Sequence, residues 1–185
     1  RESYFIVLSN GQARTETGKY RESPRQTVAV TGPWQVTFDA TLGGPETPVI
    51  FEKLTDWSLH SDERIRYYSG TAVYRNTFHL PKRNKQATYQ LALNGFAGAA
   101  EVVVNGQVAG TAWCSPWTVD MTPLVKKGQN QVEIRVANTL WNRLVGDAGK
   151  AEGDRRMQQS HPLAKSGDKL VASGLIGNVW LTVGW

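Results

Sequence analysis

One cysteine in 185 residues leaves no internal disulfide and no thiolate metal cluster to staple the chain. That residue, Cys114, stands between apolar neighbours and is expected to pack as a small buried hydrophobe. No apolar run approaches the ~20 residues of a membrane-spanning helix, so no membrane span is expected. Basic residues outnumber acidic ones 21 to 16, yet no stretch gathers them into one stripe. Lys82-Arg83 and Lys126-Lys127 read as turn decorations, and Arg155-Arg156 stands beside Glu152 and Asp154. A nucleic-acid partner would need a clustered basic stripe with interleaved aromatics, so none is expected. There is no long low-complexity tract and no internal repeat.

Chemistry is equally sparse. Hydrolysis by a carboxylate pair needs both groups facing the scissile bond, about 5 Å or about 6.5–9.5 Å apart depending on stereochemical outcome. Asp56, Asp62, Glu63, Asp120, Asp147, Glu152, Asp154 and Asp168 form no such recognisable pair. His60, His79 and His161 are far apart, and no serine sits in a nucleophile elbow. The opening RESYFIVLSN has neither an initiator Met nor the layout of a signal peptide. It reads as a strand at 4–8, so the chain is expected to be cut from a longer polypeptide, and its start says nothing of export.

What remains is rich in β signals and tryptophan. Apolar residues make up 40% and charged residues 20%, a balance that folds into a core. The seven Trp are many for this size, and some of them are expected to serve a surface. After a polar connection at 9–26, Trp34, Val36 and Phe38 alternate with Gln35 and Thr37, a strand with one buried face. DWSLHSDERIRYY is the least β-like part of the front half and suits a turn of helix. In SGTAVYRNTFHLP, Ala72, Tyr74, Asn76, Phe78 and Leu80 share a face, as do Tyr89, Leu91 and Leu93 in ATYQLALNG. Asn105-Gly106 predicts a two-residue hairpin turn. Thr122, Pro123 and Gly128 suit the cap, first position and stop of one helical turn. Val132, Ile134 and Val136 point in from QVEIRVAN. Residues 138–169 form a long polar stretch without a period, and SGLIGNVWLTV closes the chain as a strand. Many short strands between turns predict an all-β, antiparallel β-sandwich over 27–185. Residues 1–26 are then the end of a preceding domain plus a linker.

The order of these pieces resembles the sugar-binding, galactose-binding-like jelly-roll domain of glycoside hydrolase family 2. GTAVYRNTFHLP looks like the family strand that runs from a Gly through an aromatic to a Phe and a Pro. AEVVVNGQVAGTAWCSPWTVDMTPLVKKGQNQVEIRVAN is similar to its valine-rich hairpin, following aspartate and Gly-x-Asn strand, and SGLIGNVWL to its closing motif. A narrower likeness, in GPWQVTFD, YYSGTAVY, LWNRLVGD and SGLIG, is to the C-terminal sandwich of the family 106 α-L-rhamnosidases. In those families the catalytic carboxylates lie in a separate (β/α)8 barrel. The resemblance thus implies a non-catalytic domain of a bacterial, periplasmic or secreted glycosidase that degrades a rhamnose-containing polysaccharide. Its partners would be that barrel, in the same polypeptide, and carbohydrate. An autonomous carbohydrate-binding module and a purely structural interdomain module are the alternatives.

Trp113 and Trp117 could stack on a pyranose or pack against a neighbouring domain, whereas Trp34 reads as core. Trp180, out of phase with Val179 and Leu181, faces away from them. By the resemblance, Tyr67 and Tyr68 reach toward a substrate, though a place at the start of a strand is the plainer reading. Asp168, five residues before Ser173-Gly174, would contribute to a sugar and cation site. The family's Trp shortly after that Asp is replaced here by Leu170-Val171. Trp141, Asn142 and Arg143 could hold sugar hydroxyls, or tie their loop down with Arg143 paired to Asp147. No cofactor is expected. Calcium would have to come through Asp147, Asp154 or loop carbonyls, and no loop has the spacing of a dedicated site.

Overall fold

The computed structural model describes residues 25–158 and 163–184. The strand expected at 4–8, nearly all of the connection at 9–26 and His161 lie outside them. The elements in chain order are β1 (Arg25–Val30), β2 (Trp34–Thr37), β3 (Val49–Phe51), α1 (Glu63–Arg66), β4 (Thr71–Leu80), β5 (Thr88–Leu93) and β6 (Phe96–Ala97). They continue with β7 (Ala99–Val104), β8 (Gln107–Ala112), β9 (Thr118–Asp120), β10 (Gly128–Ala137), α2 (Trp141–Ala148), β11 (Gly174–Leu175) and β12 (Val179–Gly184). All their pairings are antiparallel. One sheet runs β3-β2-β4-β10-β7-β8, the other β1-β12-β5-β9, and β6 and β11 form a small bridge of their own.

The alternation in the sequence is what closes the two sheets on each other. Trp34 and Val36, Ala72 and Tyr74, Val102 and Val104, and Val132, Ile134 and Val136 are buried from the larger sheet. Tyr89, Leu91 and Leu93 with Val179 and Leu181 meet them from the smaller, in one continuous core. Asn105 at φ +50° and Gly106 at φ +83° make the expected turn between β7 and β8. A β-bulge at Val102/Val103, without a signal in the sequence, shifts the register of that pair.

Three expectations are corrected. The helical turn expected over 122–128 starts earlier and is shorter: it closes once, from Val125 N–H to Met121 O (3.1 Å), and then the chain leaves. The reason is Asn130, buried under the turn, whose amide accepts from Lys126 N–H (2.8 Å) and donates to Lys126 O (2.8 Å). Asp120 rather than Thr122 caps, accepting from Thr122 N–H (2.9 Å), while Gly128 starts β10 at φ +90°. Second, the supposedly aperiodic 138–169 contains α2. Three of its four buried residues, Asn142, Arg143 and Asp147, are polar, while of the apolar set Trp141, Leu144, Val145 and Ala148 only Val145 is buried. Third, Cys114 is exposed. Ala112 ends β8 in one sheet and Val119 resumes the core in the other, so the link between them crosses the surface with no core beneath it.

An aromatic cluster fills the core beneath DWSLHSDERIRYY, which forms a 3-10 turn at Trp57–Leu59 followed by α1. Trp57 stacks on Tyr74 with ring centroids 6.3 Å apart, and Phe38 and Tyr68 meet Trp57 edge-on at 5.3 and 5.7 Å. The Tyr74 hydroxyl accepts from the Trp57 indole N–H (2.6 Å) and from Leu175 N–H (3.1 Å). Burial raises the pKa of that hydroxyl well above the usual phenol range, so it stays protonated. Tyr74→Phe leaves two buried donors without an acceptor. It is expected to lower unfolding free energy by about 2–4 kcal/mol, measured by urea denaturation.

Candidate functional site

Strand registers place all eight candidate residues at one end of the sandwich. Thr71, where β4 begins, opposes Ala137, where β10 ends, and Ala137 also opposes Ala99 at the start of β7. Ala100 opposes Ala112 at the end of β8. In the other sheet Leu93 ends β5 opposite Val179, and Ala92 opposes Thr118 at the start of β9. The connections carrying Tyr67 and Tyr68, Trp113 and Trp117, Trp141 to Arg143, and Asp168 therefore all leave at this end.

Within it, several candidates are spent on the scaffold. Tyr68 is 0% exposed; its hydroxyl donates to Thr71 O (3.0 Å) and accepts from Asp39 N–H (3.1 Å). Its ring closes the aromatic core, which corrects its place as a substrate contact in favour of the start of a strand. Asn142 is fully buried, donating to Val171 O (2.8 Å) and Ser173 Oγ (3.1 Å) and accepting from Val171 N–H (2.9 Å). With every donor and acceptor of that amide engaged, Asn142 too is removed from the sugar contacts. Trp141 is half-buried and donates from its indole to Lys169 O (2.9 Å). Asp168 accepts from Lys165 N–H (2.8 Å), closing its own turn. These bonds tie the segment before β11 onto α2, as the tie-down reading has it.

Asp147 is a second anchor. Fully buried, its carboxylate accepts from Arg156 N–H (3.1 Å), Met157 N–H (3.0 Å) and Lys150 Nζ (3.2 Å), with Arg143 Nη1 at 3.8 Å. A carboxylate surrounded by cations and amide protons does not suit calcium. Among the described residues no group of three or more His, Cys, Asp or Glu converges.

Two sets of side chains remain that face solvent or an open cavity. Trp113 is 73% and Trp117 38% exposed, and Trp117 leans edge-on against Phe96 of β6 at 5.7 Å. On a different part of the same end, Tyr67 and Arg143 line one cavity of about 300 Å3, between α1, the 40–46 loop and α2. Gly146 makes this possible, since a Cβ there would stand 2.5 Å from the Tyr67 ring. Lys150 and Arg156 complete the cavity wall, and sequence reasoning passed them over as solvated charge. The signal available was the i, i+4 spacing of Arg143 and Asp147 on one face of α2, with Lys150 just past its end.

A family model described as glycosyl hydrolase 2 galactose-binding domain-like matches residues 53–164. A curated protein of Formosa agariphila named "Putative beta-glucuronidase" is 38% identical over 128 residues, 68% of this chain and 11% of that protein. Among solved structures, the rhamnosidase from Novosphingobium sp. PP1Y superposes with a TM-score of 0.81 at 32% identity, over 96% of this chain and 16% of that one. The β-glucuronidase from Ruminococcus gnavus, solved with D-glucuronic acid, superposes at 0.63 with 21% identity, over 88% of this chain and 30% of that one; it shares the fold. The chain thus spans between about a tenth and a third of the length of each of these proteins.

Asp147→Asn removes the one buried negative charge beside Arg143. Thermal or urea unfolding is expected to show a loss of about 3 kcal/mol, far more than for an exposed ion pair. A loss under about 0.5 kcal/mol would mean that Asp147 does not anchor this end.

Proposed function

The chain belongs to the glycosyl hydrolase 2 galactose-binding domain-like family, and from that premise we propose that it is a non-catalytic domain which braces a catalytic barrel and presents an aromatic ledge to carbohydrate. The observation that carries this is the ledge itself: Trp113, 73% exposed, and Trp117 on a loop that leaves the core at the end where β-sandwiches meet ligands. A planar indole face pairs well with the C–H groups of a pyranose, and leaving it in water has no benefit for folding. The likeness to a rhamnosidase and to β-glucuronidases supports a parent glycosidase, α-L-rhamnosidase-like, that cleaves an O-glycosyl bond of an acidic or rhamnose-containing polysaccharide. We extend this reading to a place in the C-terminal part of such an enzyme and to export to the periplasm or medium, for which the support is the resemblance of the sequence motifs to the family 106 sandwich alone.

The state of the carboxylates supports a non-catalytic part. Asp56 accepts from Ser58 and Ser173 N–H (both 2.9 Å), Asp120 from Thr122, and Asp147 is enclosed. The Arg64 guanidinium holds Asp62 below the usual carboxylate range. At Glu133 partial burial pushes upward, but the bonds from Arg135 and Arg75 outweigh it and the net direction is again down. A general acid needs the opposite shift.

Tryptophan fluorescence titrated with rhamnose, galactose and polysaccharide fragments tests the ledge. A saturable change is expected, lost in Trp113→Ala with stability held to within about 0.5 kcal/mol. A flat response to the whole panel would leave the ledge as a contact for the barrel alone. Hydrolysis of an aryl α-L-rhamnoside by this chain alone would overturn the non-catalytic assignment.

A further inference from the structure

Arg143 is 5% exposed, and its surroundings do not account for its burial. A guanidinium carries five N–H donors. Among the described residues it has one hydrogen bond to protein, the long 3.4 Å contact from Nη2 to Leu42 O, and its carboxylate neighbour stands 3.8 Å away, outside hydrogen-bond reach. Asp147 is already shared with Lys150 and two backbone amides. Burial pushes the Arg143 guanidinium down from its ordinary value, Asp147 only partly restores it, and Arg156 adds to the depression. It nevertheless remains charged at neutral pH.

Arg143 and Arg156 together form the wall between two cavities, one of about 300 Å3 and one of about 380 Å3. Gly43 brings Arg156 close: a Cβ there would stand 2.4 Å from Arg156 Nε, and Arg156 Nη1 donates to Thr41 O (3.4 Å). Four cationic side chains and two anionic ones line the smaller cavity. The two anions, Glu46 and Glu63, are exposed at its mouth, and Glu46 acts on Arg64. Arg64 is itself held by Asp62 (2.7 Å), so the uncommitted positive charge is that of Arg143 and Arg156. The larger cavity adds apolar surface from Leu42, Leu140 and Met157.

We propose that this cleft binds the anionic substituent of an acidic sugar, its carboxylate or sulfate oxygens meeting the guanidiniums of Arg143 and Arg156 while the ring lies against the apolar wall. Planar guanidiniums take oxyanions through paired hydrogen bonds, and a partly desolvated cleft strengthens them. This rests on the reading that this end of the domain meets carbohydrate, but it is a separate place from the tryptophan ledge and does not require it.

Titration calorimetry on the full chain distinguishes the two, using glucuronate, galacturonate, glucose 6-sulfate, glucose and acetate. Acidic sugars are expected to bind at least about ten-fold tighter than glucose, and tighter than acetate. Arg156→Ala, at an exposed position that the fold does not depend on, is expected to erase that preference. Arg143→Lys, which keeps charge but not the planar fork, is expected to weaken it at least about five-fold. Binding of both uronates and the sulfate supports an oxyanion cleft, and binding of the uronates alone supports one shaped for carboxylate. Equal affinity for glucuronate and glucose, equal affinity for acetate, a preference that survives both substitutions, or no binding at all overturns the proposal. Neutral-sugar quenching at Trp113 that persists while the acidic preference is absent would sink this inference and leave the ledge standing.

Discussion

The Trp57 indole N–H has to find an acceptor inside an apolar core, and much of this end of the sandwich is arranged around that requirement. Tyr74 of the central strand β4 supplies it, and by also accepting from Leu175 it fixes β11 above the same ring. Gly174 next to it has no alternative, because a Cβ there would stand 2.3 Å from Trp57 Nε1. The consequence spreads outward through polar pairs. Trp57 N–H donates to Ser173 O (3.0 Å), Ser173 N–H to Asp56, and the Ser173 hydroxyl accepts from Asn142 on α2. The position of α2, and hence of Arg143, is therefore set by a chain of hydrogen bonds that begins in the core.

This explains which parts were legible in the sequence and which were not. Wherever burial is apolar, as at Trp34 and Val36 or at Val132, Ile134 and Val136, the period of two is visible and the strands stand where it puts them. The turn at Asn105-Gly106 was visible for a backbone reason, positive φ. Where burial is largely polar, the period is easily overlooked. Trp141, Leu144, Val145 and Ala148 stand at helical spacing along α2, but Asn142, Arg143 and Asp147 supply most of its buried face and gave the look of a loop, and beside Asn130 the expected helical turn closes only once. Cys114 failed in the opposite direction: apolar neighbours were taken as burial, while the link they occupy has to pass over the surface between two sheets.

The candidate site divides along the same line. Tyr68 was a candidate contact by the family resemblance and Asn142 as a polar side chain beside Trp141 and Arg143, yet each has its donors and acceptors occupied. The polar side chains with capacity to spare are those whose partners are long or absent, and this is a property of geometry that residue identity does not reveal. For Arg143 the sequence leaves open a contact to sugar hydroxyls or a tie to Asp147; the structure shows an ion pair of 3.8 Å and a guanidinium that still faces a cavity.

The two groups, saturated frame and unsaturated surface, depend on each other physically. A side chain that meets a ligand does so at lower entropic cost when its backbone is already held. Tyr67 lies on the backbone of α2 through a close approach that Gly146 admits, and the Arg156 side chain lies over Gly43 and donates to Thr41 O. The Asp147 carboxylate holds the backbone of Arg156 and Met157 without closing onto the Arg156 guanidinium. An anchor that fixes the backbone of a cation while leaving its head group free is what a preorganised contact surface requires. The same carboxylate would have neutralised the surface had it bonded the guanidiniums instead.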